Sequence, residues 1–135
     1  MIKDLNLSTP DISFSREGLM ISSFANTEGY DIHIQHTFSD VIQAWQEYNK
    51  TIQLLVYNGH RQIILFDGRS DSSTFGAMQE LWAGTRNPLL IDIPAGVVFG
   101  WQSIEAGDGL LQIPQGAALQ QHPADTHLIP FRWEK

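Results

Sequence analysis

This 135-residue sequence predicts an all-β fold, a sandwich or jelly roll of two packed sheets. Short runs that alternate apolar with polar residues recur at regular spacing, each bounded by Gly, Pro, Asn or Asp. No long segment carries a helical period. Pro94-Ala95-Gly96 sets a proline–glycine corner between two β-rich runs, 89–93 and 97–101. Pro fixes φ there and Gly tolerates a left-handed conformation, as a small closed or double-layered β structure requires.

Residues 1–10 read as an extended arm or short edge strand, and 11–14 as a short strand before a polar turn at 15–18. In 19–24, Leu19, Ile21 and Ser23 face opposite to Met20, Ser22 and Phe24. After a turn at 25–29, the next run puts Tyr30, Ile32, Ile34 and His36 on one face and Asp31, His33 and Gln35 on the other. By propensity alone, 41–48 is compatible with a helix. A strand at 51–57 leads into Asn58-Gly59, whose residues tolerate positive φ and signal a hairpin to a return strand at 62–66.

Residues 67–76 are polar and glycine-punctuated, hence a loop, and 78–82 form a short or edge strand before a turn at 83–88. In 89–93, Leu89, Ile91 and Ile93 share one face and Leu90 and Asp92 the other. The run from 97 to 104 contains Gly100, which marks a bulge or a close backbone approach. Residues 105–109 separate it from 110–113. The tail from 114 is loop-like with an extended end, in which Phe131 and Trp133 are expected to seal one end of the sheet pair.

Length implies one domain, residues 1–135. With no cysteine, disulfides and thiolate chemistry are excluded. No apolar run approaches the ~20 residues of a membrane span, and the first residues lack a signal-peptide pattern, so a cytoplasmic protein is expected. Eight Lys and Arg against fifteen Asp and Glu give a net charge of -7 with no basic stripe, which argues against nucleic acid as a partner.

Several segments resemble, in order, the RmlC-like cupins related to dTDP-4-dehydrorhamnose 3,5-epimerase. Ile93-Pro94-Ala95-Gly96-Val97-Val98-Phe99-Gly100 is similar to the family's "IPPGxxHG" segment, and 41–48 to its "GVxRAWHxH" strand. Tyr57-Asn58-Gly59 resembles the family hairpin, 66–76 its "DLRxxSPTFG" segment, and 129–133 its "IPYDW" ending. The resemblance implies a cupin-type double-stranded β-helix, with 41–48 an irregular strand rather than a helix. It also implies a homodimer in which residues 1–14 act as an exchange arm. Small sheets leave edges that need covering, and Met20 and Phe24 share a face that would supply an apolar contact.

The family's chemistry transfers incompletely. The position of its general base is Gln46, an amide that accepts no proton at neutral pH. Its neighbouring arginine is Gln43, the histidine before the glycine is Phe99, the family tyrosine falls near Gln112, and the nucleotide-holding arginine is Glu17. In metal-binding cupins the ligand positions correspond to Gln46, Tyr48 and Phe99, a set unsuited to a divalent cation, so no metal and no cofactor are expected.

The expectation is therefore a divergent epimerase-like cupin without standard epimerase activity. It would bind a sugar or small polar ligand, including a nucleotide sugar, through Gln43, Gln46, Tyr48, Phe99 and Gln112. Two alternatives stay open. One is a nucleotide-sugar epimerase or ketoisomerase whose base has moved to His33, His36 or Tyr48; the other is a non-catalytic scaffold or regulatory protein. His33 and His36 have opposite parity and cannot share a face of a regular strand. His60, His122 and His127 read as surface residues. Asp67 and Asp71 read as turn residues, Asp92 as lining the interior or capping the next turn, and Glu47 as pointing away from Gln46 and Tyr48. Trp45, Trp82, Trp101, Trp133 and Phe99 are of the type that stacks on sugars, although in a small sandwich the commoner role is core.

Overall fold

Alternation decides which side of each strand is buried. Ile52, Leu54 and Val56 are fully buried, while the intervening Gln53 and Leu55 are only half-buried. Ile93 is buried and Leu89 and Ile91 half-buried, with Leu90 and Asp92 exposed between them. The computed structural model describes residues 2–4, 11–16, 19–25, 31–37, 41–105, 107–114, 116–126 and 129–133. Among them lie eleven strands and no helix. The strands are β1 (Asp11–Arg16), β2 (Leu19–Ala25), β3 (Asp31–Thr37), β4 (Ile42–Tyr48), β5 (Ile52–Val56), β6 (His60–Asp67), β7 (Met78–Gly84), β8 (Leu89–Ile93), β9 (Val97–Glu105), β10 (Gly107–Ile113) and β11 (Leu119–Gln121).

Two antiparallel sheets face each other, one ordered β1-β2-β3-β10-β5-β8 and the other β11-β4-β9-β6-β7. From β3 onward the chain changes sheet at nearly every connection, which is the jelly-roll topology. Between the sheets lies a core that includes Ile52, Leu54, Val56, Ile63, Phe99, Trp101 and Leu110. Each fully buried aliphatic side chain there contributes about 1.5–3 kcal/mol.

The Pro94-Ala95-Gly96 corner carries the chain from one sheet to the other. Gly96 has φ of 83° and donates its N–H to the Tyr48 carbonyl at 3.1 Å. Asn58-Gly59 does the same and does not form the expected hairpin. Gly59 has φ of 74°, as the turn demands, but β5 pairs with β10 and β8 while β6 pairs with β9 and β7. A left-handed glycine fixes a change of direction; which strands then pair is decided by the surfaces they bury.

β4 is an irregular strand, as the resemblance implies. Its register on β9 runs Ile42↔Gln102, Gln43↔Trp101, then Gln46↔Phe99. Three steps along β4 oppose two along β9, so one residue is extra, which is a β-bulge. Opposite it sits Gly100, where an added Cβ would lie 2.6 Å from the Ala44 Cβ and 2.9 Å from Cζ2 of Trp133. Close approach is therefore the reason for that glycine.

The tail differs from expectation in two ways. Residues 119–121 form β11 on the outer edge of β4, too short and polar to signal a strand. Ile129, Phe131 and Trp133 do not seal an end of the sheet pair. They cover the outer face of the five-stranded sheet, packing on Ala44, Trp45, Ile64 and Val98. Trp133 lies 5.1 Å from Trp45 and 4.8 Å from Phe131, centroid to centroid. The bulge makes this face: it turns Ala44 and Trp45 outward, and so large an apolar area needs a cover.

Asp67 organises the loop that follows β6. It accepts hydrogen bonds from Arg69 Nε at 2.9 Å, Thr74 Oγ1 at 2.5 Å, Ser72 Oγ at 2.7 Å and the Arg69 backbone N–H at 3.0 Å. The Arg69 bond, followed by those from Thr74 and Ser72, holds its carboxyl far below the ordinary carboxylate range. Asp92 neither lines the interior nor caps a turn. It is exposed on the outer face of β8 and accepts a bond from Gln53 Nε2 at 3.2 Å.

Candidate functional site

The bulge also builds the candidate site. In a regular strand Gln43 and Gln46 would point to opposite sides. With one residue extra between them, Gln43 lies opposite Trp101 and Gln46 opposite Phe99, two residues of the same inner face. Tyr48 follows Gln46 on that face and stacks on Phe99, with ring centroids 6.3 Å apart and planes 16° from parallel. Glu47 points the other way, to His122 Nε2 at 3.2 Å.

Gln112 reaches these groups from β10 in the facing sheet. Its Nε2 donates to Gln46 Oε1 at 2.9 Å and to the Tyr48 hydroxyl. One amide thus ties the two sheets together through the middle of the barrel. Gln46 Nε2 and Gln112 Oε1 are left buried without a hydrogen-bond partner, as are Gln35 Oε1 and Trp101 Nε1. Such groups are unfavourable in a dry interior. Burial raises the Tyr48 pKa above its ordinary value, with the Gln112 bond pulling the other way, so the phenol is neutral at physiological pH. The set is uncharged: three amides and a phenol.

Sequence parity locates one further group. On β10, Gln112 lies in register with His33 of β3, and Leu110 with Gln35. Half-buried His33 therefore shares the inner face with Gln112. His36 is in β3 at the opposite parity, and its side chain lies outside the described residues, as do Glu17 and His127. Among the described residues no cluster of His, Asp and Glu converges as a metal-ligand set.

Arg61 went unnoticed in the sequence. It is fully buried on the inner face of β6, with Cζ 5.4 Å from the Trp101 ring centroid and Nη1 donating to the Asn58 carbonyl at 2.8 Å. Alternation back from Leu65 through Ile63 puts it inside, so the signal was present; a charged residue beside a turn simply reads as exposed.

No family model matches the sequence. The spore coat polysaccharide biosynthesis protein SpsL of Bacillus subtilis (strain 168) is 31% identical over 107 residues, covering 72% of this chain and 70% of its own. The chain belongs to the SpsL family. Its fold is that of the RmlC-like cupins. The dTDP sugar isomerase of Desulfovibrio desulfuricans G20 superposes over 98% of this chain and 92% of its own, with a TM-score of 0.66 at 24% identity. The capsular polysaccharide assembling protein CapF of Staphylococcus aureus matches 86% of this chain and 29% of its own, with a TM-score of 0.57 at 12% identity. These likenesses carry the fold. In this SpsL-family chain, Gln46 lies within the amide–phenol cluster and Phe99 is fully buried. Among the described residues no helix is long and apolar enough to cross a membrane.

Proposed function

We propose that the barrel interior binds the sugar ring of a nucleotide sugar used in polysaccharide biosynthesis, and that it does so without 3,5-epimerisation by the family's base. The observation that carries this reading is the neutral cluster of Gln46, Tyr48 and Gln112, with an unpaired donor on Gln46 and an unpaired acceptor on Gln112. Sugar hydroxyls both give and accept hydrogen bonds, and this set answers them without charge. An amide at the base position removes no proton from a carbon beside a ketone. The relationship to SpsL supports the setting.

The test combines calorimetric titration with dTDP-4-keto-6-deoxyglucose and related nucleotide sugars with deuterium exchange at the ring carbons. Binding that weakens about tenfold in Gln112→Ala, with no exchange above background, agrees with the proposal. Exchange at enzymatic rates sinks its non-epimerising half, and an absence of binding sinks the rest. Acid–base chemistry from a relocated base is the second reading, favoured by His33 standing in register with Gln112 on the inner face. Exchange lost in His33→Asn while binding persists would establish it. Oligomerisation belongs to the same proposal. β1 is an edge strand that pairs with β2 and offers its other side to a second copy. Sedimentation of the full chain should give a dimer that weakens when residues 1–14 are deleted; a 15.2 kDa species would defeat it.

A further inference from the structure

Trp82 lies on the outer face of β7, away from the barrel interior, and is 42% exposed. An exposed tryptophan normally swings between rotamers, but this one is held from several sides. Its indole Nε1 donates to Glu80 Oε1 at 3.0 Å, and Gln62 Nε2 fixes the other oxygen of Glu80 at 2.8 Å. Asn87 Nδ2 donates to the Trp82 carbonyl at 2.7 Å. His60 stacks against the ring, with centroids 5.2 Å apart and planes 20° from parallel.

The surroundings are closely packed. Gly84 and Gly59 pack backbone to backbone, so that a Cβ on Gly84 would lie 2.1 Å from the Gly59 carbonyl oxygen. Gly84 and Asn87 exchange a pair of backbone hydrogen bonds at 3.2 Å, closing the 84–87 turn. Between these parts lies a cleft of about 560 Å³, lined by His60, Trp82, Thr85, Arg86, Asn87 and Glu105 among others. That volume falls within the roughly 300–1,000 Å³ of small-molecule sites.

We propose that this cleft is a second, exterior carbohydrate site, which takes a pyranose ring of a neutral oligosaccharide on the exposed part of Trp82. A pyranose has an apolar C–H face, which an indole plate matches, and a rim of hydroxyls, which Thr85, Asn87, Arg86 and Glu105 match with donors and acceptors. Holding the plate in place beforehand removes the ordering entropy that a mobile tryptophan would lose on binding. Charge selects against the other flat ligand, a nucleotide. Glu80 and Glu105 flank the plate and Arg86 is the cation of the lining, so at this cleft a diphosphate is repelled.

The test is a nitrogen–proton correlation spectrum of the full chain, titrated separately with maltohexaose, chitotetraose and dTDP. The indole N–H resonance of Trp82, assigned by its loss in Trp82→Phe, should shift progressively with an oligosaccharide, together with the side-chain amides of Gln62 and Asn87. Trp82→Ala should weaken that binding about tenfold or more, and Trp82→Phe less. Gln46→Ala should leave it unchanged, which separates this site from the barrel interior, whose occupancy is read at the Gln46 and Gln112 amides. No shift at Trp82 with either oligosaccharide overturns the proposal, as do a shift with dTDP alone and oligosaccharide binding that survives Trp82→Ala.

Discussion

Replacing Gly100 by alanine tests the joint between the bulge, the barrel and the tail. The added Cβ would stand 2.6 Å from the Ala44 Cβ, 3.1 Å from the Ala44 Cα and 2.9 Å from Cζ2 of Trp133. The Ala44 atoms belong to the backbone of the bulge or are fixed to it. Trp133 presents the edge of a rigid ring, packed with its centroid 5.1 Å from that of Trp45 and 4.8 Å from that of Phe131. Nothing at the site is the loose end of a flexible chain, so β4 must separate from β9 or the tail must lift. Overpacking of this kind costs about 1–3 kcal/mol. For a domain of this length that lowers the thermal midpoint by roughly 4–11 °C at fixed protein concentration.

Urea unfolding of the wild type, Gly100→Ala, Ala44→Gly and the double variant forms a closed cycle. Ala44→Gly alone should cost about 0.5–1 kcal/mol through backbone entropy. In the double variant one of the clashing methyl groups is gone, so the two effects should be less than additive by at least about 0.5 kcal/mol. Gly100→Ala as stable as wild type, or two strictly additive effects, would refute the account of this glycine.

Asp67→Asn should destabilise the protein at neutral pH. The folded carboxyl is held below its unfolded pKa of about 3.9, so its contribution is present above that value and is lost progressively as the pH falls below it; the gap between wild type and variant in urea midpoint should narrow from about pH 4 downward. Tyr48→Phe should cost about 1 kcal/mol through the lost Gln112 bond. In an ultraviolet titration it should remove a tyrosine that ionises above the ordinary value of about 10. Trp133→Ala should uncover Trp45 and Val98 on the outer face and cost about 2–3 kcal/mol, with a loss of near-ultraviolet circular dichroism; an unchanged spectrum would show that the tail is not docked there.

Whatever depends on neighbours along the chain could be read from the sequence. Period-two alternation at 52–56 and 89–93 put the right side chains inside, because consecutive Cβ atoms point to opposite faces. Gly59 and Gly96 have the positive φ that their turns require. Glycine at 100 announced a close approach without naming the atoms that make it. Family-like segments in the right order carried the jelly roll itself and the irregular strand at 41–48.

What depended on distant surfaces could not be read. Asn58-Gly59 is a good turn wherever it leads, and only the burial of β5 against one sheet and β6 against the other makes it a corner rather than a hairpin. β11 has too few apolar residues to declare itself and exists because the edge of β4 lies beside it. The meeting of Gln46, Tyr48 and Gln112 required both the extra residue in β4, which reverses parity between Gln43 and Gln46, and a strand 64 residues further on bringing Gln112 across from the facing sheet. Side-chain direction is a local property of the backbone, whereas a hydrogen bond across a barrel exists only once the whole set of strands has closed around it.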